Sequence, residues 1–174
     1  PKTAWPPTYD ELTEVDVKKM QEELEYRQNV LRPQLIDDVK VARAFGDLSE
    51  NFEYKAAKRE KNRNDSRIRY LDRMIKTAKV IEDKSGSDEV GLFDRVKIYM
   101  EDDDEERDIR LVTTLRQNAP LGLISKESPV GAAIMGHHVG DRVKVDVNED
   151  YSYYIVIREI EKGSDDESLP IRGY

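Results

Sequence analysis

The stretch Gly46-Asp47-Leu48-Ser49-Glu50-Asn51-Phe52-Glu53-Tyr54 joins two long helical patterns and puts two carboxylates, Asp47 and Glu50, at the turn between them. Before it, apolar residues recur at Val17, Met20, Leu24, Leu31, Leu35, Val39 and Ala42. The early spacing of three and four turns one stripe toward a partner helix, and the later steps of four imply a slip of phase in that seam. Thr13 is placed to cap this helix, and Gly46 to end it as the C′ residue. Pro33 falls inside it; a proline removes one helix bond and clashes with the preceding turn. The pattern nevertheless resumes with Leu35 and Val39, so a continuous helix with a local kink is expected. A second helix is expected to start near Ser49 to Asn51, with a seam at Ala57, Lys61, Asn64, Ile68, Leu71, Ile75 and Ala78. Its polar seam positions lie near the turn, so that half should be wetter than the base. Roughly 30 residues per helix would reach ~45 Å at 1.5 Å per residue. Two acids at the far end of such a hairpin can be delivered into a deep channel. That geometry suits carrying a metal ion to a site the protein does not itself contain.

After a linker at 84–91 the hydrophobic period changes to two, as in half-buried strands. Residues 95–100 and 109–115 read as a hairpin around an acidic loop at 101–107. Ser128-Pro129 opens a short helix through Met135, with Pro at its first position and Gly136 ending it. Residues 143–147 and 153–157 form a second hairpin. The fold class is therefore α+β. A long antiparallel coiled-coil hairpin over 13–83, with its acidic tip near 46–51, precedes a small antiparallel sheet domain with one short helix over 92–163. An irregular lead-in (1–12) and a polar, frayed tail (164–174) flank them.

Of 174 residues, 38% are charged and 37% hydrophobic, a ratio suited to a helix pair with much solvated surface. No apolar run approaches the ~18–20 residues that span a bilayer, and no signal-peptide pattern opens the chain. The chain has no cysteine, which excludes disulfides, thiolate zinc sites and cysteine nucleophiles and is compatible with a cytoplasmic protein. The net charge of −8 is uneven: residues 1–83 carry 17 basic and 17 acidic side chains, residues 84–174 carry 12 and 20. Within 55–79 there are ten Lys/Arg against Glu60, Asp65 and Asp72. Overall acidity argues against a generic DNA coat. The local basic stripe can still guide a phosphate backbone over a Debye length, ~8 Å at cell-like salt.

Gly46 to Tyr54 matches Gly-Asp-Leu-x-Glu-Asn-x-Glu-Tyr at every specified position, and continues into Ala56-Ala57, Lys58 and Glu60. In these residues the chain resembles the Gre family of bacterial transcript cleavage factors. Arg32-Pro33 matches a pair the family carries in its first helix. Leu123 to Val130 and Gly136 to Asp141 look like its serine-proline helix and the turn after it. The likeness spans roughly 13–160. It departs at the lead-in, at Thr113 to Leu121, and at His137-His138. The resemblance implies an FKBP-like sheet domain that docks at the rim of the secondary channel of bacterial RNA polymerase. It also implies a coiled coil whose tip reaches the active site of a backtracked complex. The factor would be no enzyme itself. Asp47 and Glu50 would supply ligands to the second, weakly held Mg²⁺ of the polymerase and help orient the attacking water, while the isolated protein, a monomer, would hold no metal stably. Arg43 and Lys58 carry over from the family's basic patch near the RNA 3′ end, and Ser128 and Pro129 fall at the docking face.

Bland readings stand beside these. Asp-x-x-Glu is also a capping-box spacing, with Asp47 as N-cap and Glu50 at N3. Tyr54 can stack on a displaced RNA base or pack against Leu48 or Arg43. Asn51 reads as a cap. Lys55, Arg59, Arg63 and Arg67 are either phosphate-steering or a solvated helix face. The run from Glu101 to Glu106 lacks the glycine and spacing of a calcium loop and reads as a solvated hairpin tip. His137 and His138 read as surface residues. Two other functions fit in outline: an inhibitor that enters the same channel without stimulating cleavage, and a prolyl isomerase or interaction module built on the sheet half.

Overall fold

The computed structural model describes residues 10–46 and 50–173, and its chain divides into two compact units. One holds Val17–Ala78; the other holds Glu11–Asp16 and Lys79–Gly173. The class is mixed α+β, with a helical N-terminal part and a curled C-terminal sheet.

Helix α1 (Glu14–Tyr26) begins with a reciprocal cap. The Asp16 amide donates to Thr13 Oγ1 at 3.2 Å, and the Thr13 amide donates to Asp16 Oδ2 at 3.1 Å. Thr13 is thus the expected N-cap, with an aspartate closing the box. The helix does not break before Pro33. Arg27–Leu31 form a π-helical turn, followed directly by α2 (Arg32–Arg43), and both flanking residues keep right-handed helical torsions. The Arg32 amide reaches back to the Arg27 carbonyl, five residues away. One extra residue in the turn loosens the ladder where the proline ring would clash and where its missing N–H leaves a carbonyl unserved. The expected slip of phase in the seam has its physical form here.

Helix α3 (Phe52–Thr77) packs beside the π turn and α2 through a polar seam. Its buried residues are Asn64, Arg67 and Leu71. Arg67 donates to both Glu23 oxygens, at 2.7 and 3.2 Å. Arg27 Nε donates to Glu23 at 2.9 Å, and Arg27 Nη1 to Asn64 Oδ1 at 2.9 Å. The Asn64 amide returns a bond to the Arg27 carbonyl at 3.3 Å. Arg67 therefore does not lie on a solvated face, as the charge run alone allowed; only 4% of its side chain is exposed. Nearer the turn, Asp65 accepts from Lys61 at 2.9 Å and from Arg32 at 3.1 Å. Burial pushes the Glu23 carboxyl upward, but the hydrogen bonds and charges of Arg67 and Arg27 outweigh it and hold the group below its ordinary value of 4.5.

In the second unit, β1 (Glu11–Leu12) runs parallel to β2 (Lys79–Val80). Residues 11 and 12, expected to be irregular, are thus a short strand; residues 1–9 lie outside the described residues. The main sheet has five strands in the order β5-β4-β3-β7-β6: β3 Arg95–Met100, β4 Glu105–Val112, β5 Leu123–Ser125, β6 Arg142–Asp146 and β7 Ser152–Glu161. The two expected hairpins are there, but the sheet is not purely antiparallel, because β5 pairs with β4 in parallel. Three apolar-alternating residues are too short a run to register as a strand in the sequence. The first hairpin turn is also tighter than expected. Strand β4 starts at Glu105 and ends at Val112, and Thr114–Arg116 leave the sheet as a 3₁₀ turn.

Helix α4 (Pro129–Ile134) starts as expected at Ser128, whose Oγ accepts from the Gly131 amide at 3.1 Å. It contributes Ile134 to a core with Val96, Ile98, Ile109, Leu111, Val143, Val145, Ile155 and Ile157. A smaller cluster joins Leu92, Phe93, Val112 and Leu123.

A buried ion group ties the remaining segments. Asp16 and Arg116 are fully buried and bond at 2.6 Å, with Thr113 Oγ1 donating to Asp16 at 2.8 Å. Arg116 also bonds the Asp165 carboxylate and lies over the Phe93 ring, 5.3 Å from its centroid. Thr13 Oγ1 donates to Asp165 at 2.6 Å, and the Arg172 amide to the Leu115 carbonyl at 2.6 Å. The tail is therefore not frayed as its polarity suggested: Asp165 is the partner of a buried arginine, which also donates to the Asp166 carbonyl at 3.2 Å.

Removing one member of a buried ion pair strands the other charge, so Asp16→Ala is expected to cost about 3–5 kcal/mol. Urea unfolding followed by circular dichroism measures it. A depressed acid stabilises the fold above its unfolded value and loses that contribution as pH falls through the folded one. Stability therefore falls below pH 4.5 in part through Glu23, and Glu23→Gln is expected to flatten that acid limb in melts taken from pH 7 down to pH 3.

Candidate functional site

The candidate site is built where α2 ends and α3 begins. Helix α2 has its C-cap at Ala44, and Gly46 (φ +134°) lies two residues beyond rather than in the expected C′ position. The α3 N-cap is Asn51, whose backbone is extended (φ −86°, ψ 96°) and whose Oδ1 accepts from the Tyr54 amide at 3.0 Å. This corrects the capping-box reading of the two acids. With Asn51 as cap, the N3 position belongs to Tyr54, and Glu50 precedes the cap instead of closing it. Glu50 is exposed, so its carboxylate is not spent on the helix start. Asp47 lies outside the described residues.

Asn51 has a second task. Its Nδ2 donates to the Ala42 carbonyl at 2.7 Å, and the Phe45 amide donates to the same oxygen at 3.2 Å. One side chain thus caps α3 and clasps the end of α2. The carbonyls of a last helical turn lack intrahelical donors, and this one is satisfied from across the turn.

Of the expected RNA-side residues, three meet around one ring. The Arg43 guanidinium and the Lys58 ammonium each lie 5.9 Å from the Tyr54 ring centroid, inside the range where a cation is drawn to a π face. Arg43 comes from α2; Tyr54 and Lys58 lie one helical turn apart on α3. Tyr54 therefore packs against Arg43, one of the readings its position allowed. Lys55 stands apart from this trio, 5.8 Å from the Phe52 ring. Lys55, Lys58, Arg59 and Arg63 share a shallow groove of about 510 Å³ along α3. Arg63 makes a surface pair with Glu60 at 3.8 Å. The sequence named Arg43 and Lys58 through resemblance and Tyr54 from its own ring; the i and i+4 spacing of Tyr54 and Lys58 was the residue-level signal that joins them.

Ser128 and Pro129 sit elsewhere, at the start of α4. The Ser128 hydroxyl donates to the Ser125 carbonyl at 2.7 Å while capping the helix, and Pro129 is exposed. His137 Nδ1 and Asp141 are 3.0 Å apart, and Glu101 accepts both Arg142 bonds at 2.7 and 3.0 Å. Among the described residues no three acids or histidines converge as a metal site, and no helix is long and apolar enough to cross a membrane.

Residues 11–80 match the family model described as transcription elongation factor, N-terminal, and residues 84–162 match that described as transcription elongation factor, GreA/GreB, C-term. The chain is 43% identical over 135 residues to the transcription elongation factor GreA of Bacillus licheniformis, covering 77% of this chain and 85% of that protein. It is 43% identical over 137 residues to GreA of Thermoanaerobacter pseudethanolicus, covering 78% and 87%. A solved structure of the GreA factor homolog 1 (Gfh1) protein of Thermus thermophilus aligns at 25% identity and a TM-score of 0.41, over 89% of this chain and all of that one.

The two bonds of Asn51 separate under substitution. Asn51→Asp keeps the cap acceptor and loses the donor to Ala42, whereas Asn51→Ala loses both. The alanine variant is expected to lose about 1 kcal/mol from the cap alone, with the clasp in addition. The aspartate variant should fall between it and the parent in thermal unfolding followed by helical circular dichroism.

Proposed function

Because the chain belongs to the GreA/GreB family of transcription elongation factors, we propose that it acts by lending side chains to bacterial RNA polymerase. In this reading the helical unit is an antiparallel coiled coil that enters the secondary channel of the enzyme. The sheet unit is an FKBP-like domain that docks at the channel rim, with Ser128 and Pro129 at the docking face. The factor stimulates the polymerase's own endonucleolytic cleavage of backtracked RNA and so releases arrested complexes. It works in the cytoplasm, as a monomer, and is not itself a catalyst.

The observation that carries this reading is the release of Glu50 from helix capping. A glutamate serving as the N3 partner of a capping box would have its oxygens engaged by the backbone. Here Asn51 does that work, and Glu50 stands exposed before the helix start. Asp47 and Glu50 offer carboxylate oxygens, the donor type that Mg²⁺ takes, usually one or two at a time. Asp47 and Glu50 would hold the second of two Mg²⁺ ions, a pair that between them would make a water nucleophilic and steady the leaving oxygen. The chain would supply both carboxylates from the segment that joins its two clasped helices, and these would orient the attacking water by accepting its hydrogen bonds. Arg43 and Lys58 neutralise phosphates near the RNA 3′ end. Tyr54 keeps both cations gathered at its ring, and Lys55 and Arg59 extend the positive groove along α3.

The retained acids favour stimulation over simple blockage of the channel. The isomerase alternative finds little support in the second unit. Phe93 is buried, and Tyr99 and Tyr154 are each covered by an arginine, Arg158 at 4.8 Å and Arg142 at 3.7 Å, rather than lining an apolar cleft.

The test compares the parent with Asp47→Ala and Glu50→Ala on backtracked elongation complexes across Mg²⁺ concentrations. Both variants are expected to bind the polymerase with parental affinity, to lose stimulated cleavage by about 10²-fold or more, as for a removed transition-state group, and to regain part of it at high Mg²⁺. Undiminished stimulation removes these acids from the mechanism; slower elongation without 3′ RNA release by the parent identifies a channel inhibitor.

A further inference from the structure

Phe45 and Phe52 flank the acidic turn, and at 71% and 82% exposure they are the most exposed large hydrophobic residues described in the chain. Single exposed apolar side chains are ordinary on protein surfaces. Two phenyl rings on either side of one turn are a different matter, because both are anchored to the same point. The Phe45 amide bonds the Ala42 carbonyl, and so does the side chain of Asn51, the residue preceding Phe52. Neither ring is needed by the helices. Phe45 lies past the C-cap of α2, and Phe52 is the first residue of α3.

Their surroundings indicate the chemistry. Lys55 lies 5.8 Å from the Phe52 ring centroid, leaving the rest of that highly exposed ring open. Arg43 and Lys58 flank the neighbouring Tyr54. Aromatic faces interleaved with cations are what a flexible single strand of nucleic acid requires: bases stack on the rings and phosphates meet the charges. An apolar protein partner would gain nothing from the cations.

We infer that Phe45 and Phe52 form a stacking platform for unpaired bases at the 3′ end of single-stranded RNA, holding the displaced strand beside Glu50. This rests on the function proposed above and adds to it residues that grip the bases, not the phosphates. Base–aromatic stacking tolerates any sequence, since each base has a π face. Purines, with the larger face, should be held best.

The experiment measures the concentration of full-length protein giving half-maximal cleavage in backtracked complexes of purified polymerase. Variants are Phe45→Ala, Phe52→Ala, the double alanine, and Leu or Trp at each position. Each alanine is expected to raise that concentration by at least about fivefold. Tryptophan should restore it, and leucine, apolar without a π face, should do no better than alanine. Replacing the RNA's 3′-proximal bases by abasic units should bring parent and double alanine together, as a coupled pair does. Melting curves are expected to be unchanged, because both rings are exposed. Rescue by leucine overturns the inference in favour of an apolar contact with polymerase protein, and alanine variants equal to the parent overturn it outright. A parent that stimulates no cleavage instead overturns the function above, and this inference with it.

Discussion

Asn51 makes two hydrogen bonds on which the arrangement of the candidate site depends. One satisfies an orphan amide in the first turn of α3; the other satisfies a carbonyl in the last turn of α2. Helix ends are where backbone groups go unpaired, and a side chain with both an acceptor and a donor can serve two ends at once. An aspartate in its place could cap but not clasp, and a serine could not span the turn in the same way. Because Asn51 takes the capping task, Glu50 remains outside the helix with its oxygens uncommitted. The position of Arg43 against Tyr54 follows from the same closure, since the two residues come from different helices.

The helices behind that turn are joined largely by charge. Glu23 sits between Arg67 and Arg27, and Asn64 returns a bond to the Arg27 backbone. Such a seam adds little net stability compared with a leucine-packed one, because each ion must first lose water. Its benefit is register: a shifted pairing would leave Arg67 or Glu23 buried without its partner. For the function proposed above, a fixed register would matter more than a large stability margin. In the second unit, Arg116 does something comparable, drawing Asp16, Asp165 and the Phe93 ring around one buried guanidinium.

Much of this was legible in the sequence, for physical reasons that differ by residue. Thr13 and Ser128 advertise helix starts because hydroxyl caps act locally, within three residues. Asn51 was legible as a cap for the same reason. Pro33 was correctly read through, because the apolar pattern resumes beyond it. The failures share the opposite property of being set by partners distant in the chain. Arg67 read as one more cation in a basic run, since nothing near it announces Glu23. The tail read as frayed because its acids have no local partner, while Arg116 lies about fifty residues away. Strand β5 is three residues long and exists because β4 offers it an edge. The spacing of Asp47 and Glu50 by itself favours a helix cap, and only the longer motif argued for ligands; Asn51 takes the cap, and Asp47 lies outside the described residues.

The π-helical turn at Arg27–Leu31 has one more consequence. Each residue of an α-helix advances the azimuth by about 100°, so one more residue in a strict α ladder would swing every later side chain round the axis by that amount. A turn closed five residues back, as from Arg32 to Arg27, takes the extra residue up in a wider loop instead. Val39 and Arg43 therefore face as they would beyond an ordinary α turn one residue shorter. Length can change at this one place while the far end of the helix keeps its aim.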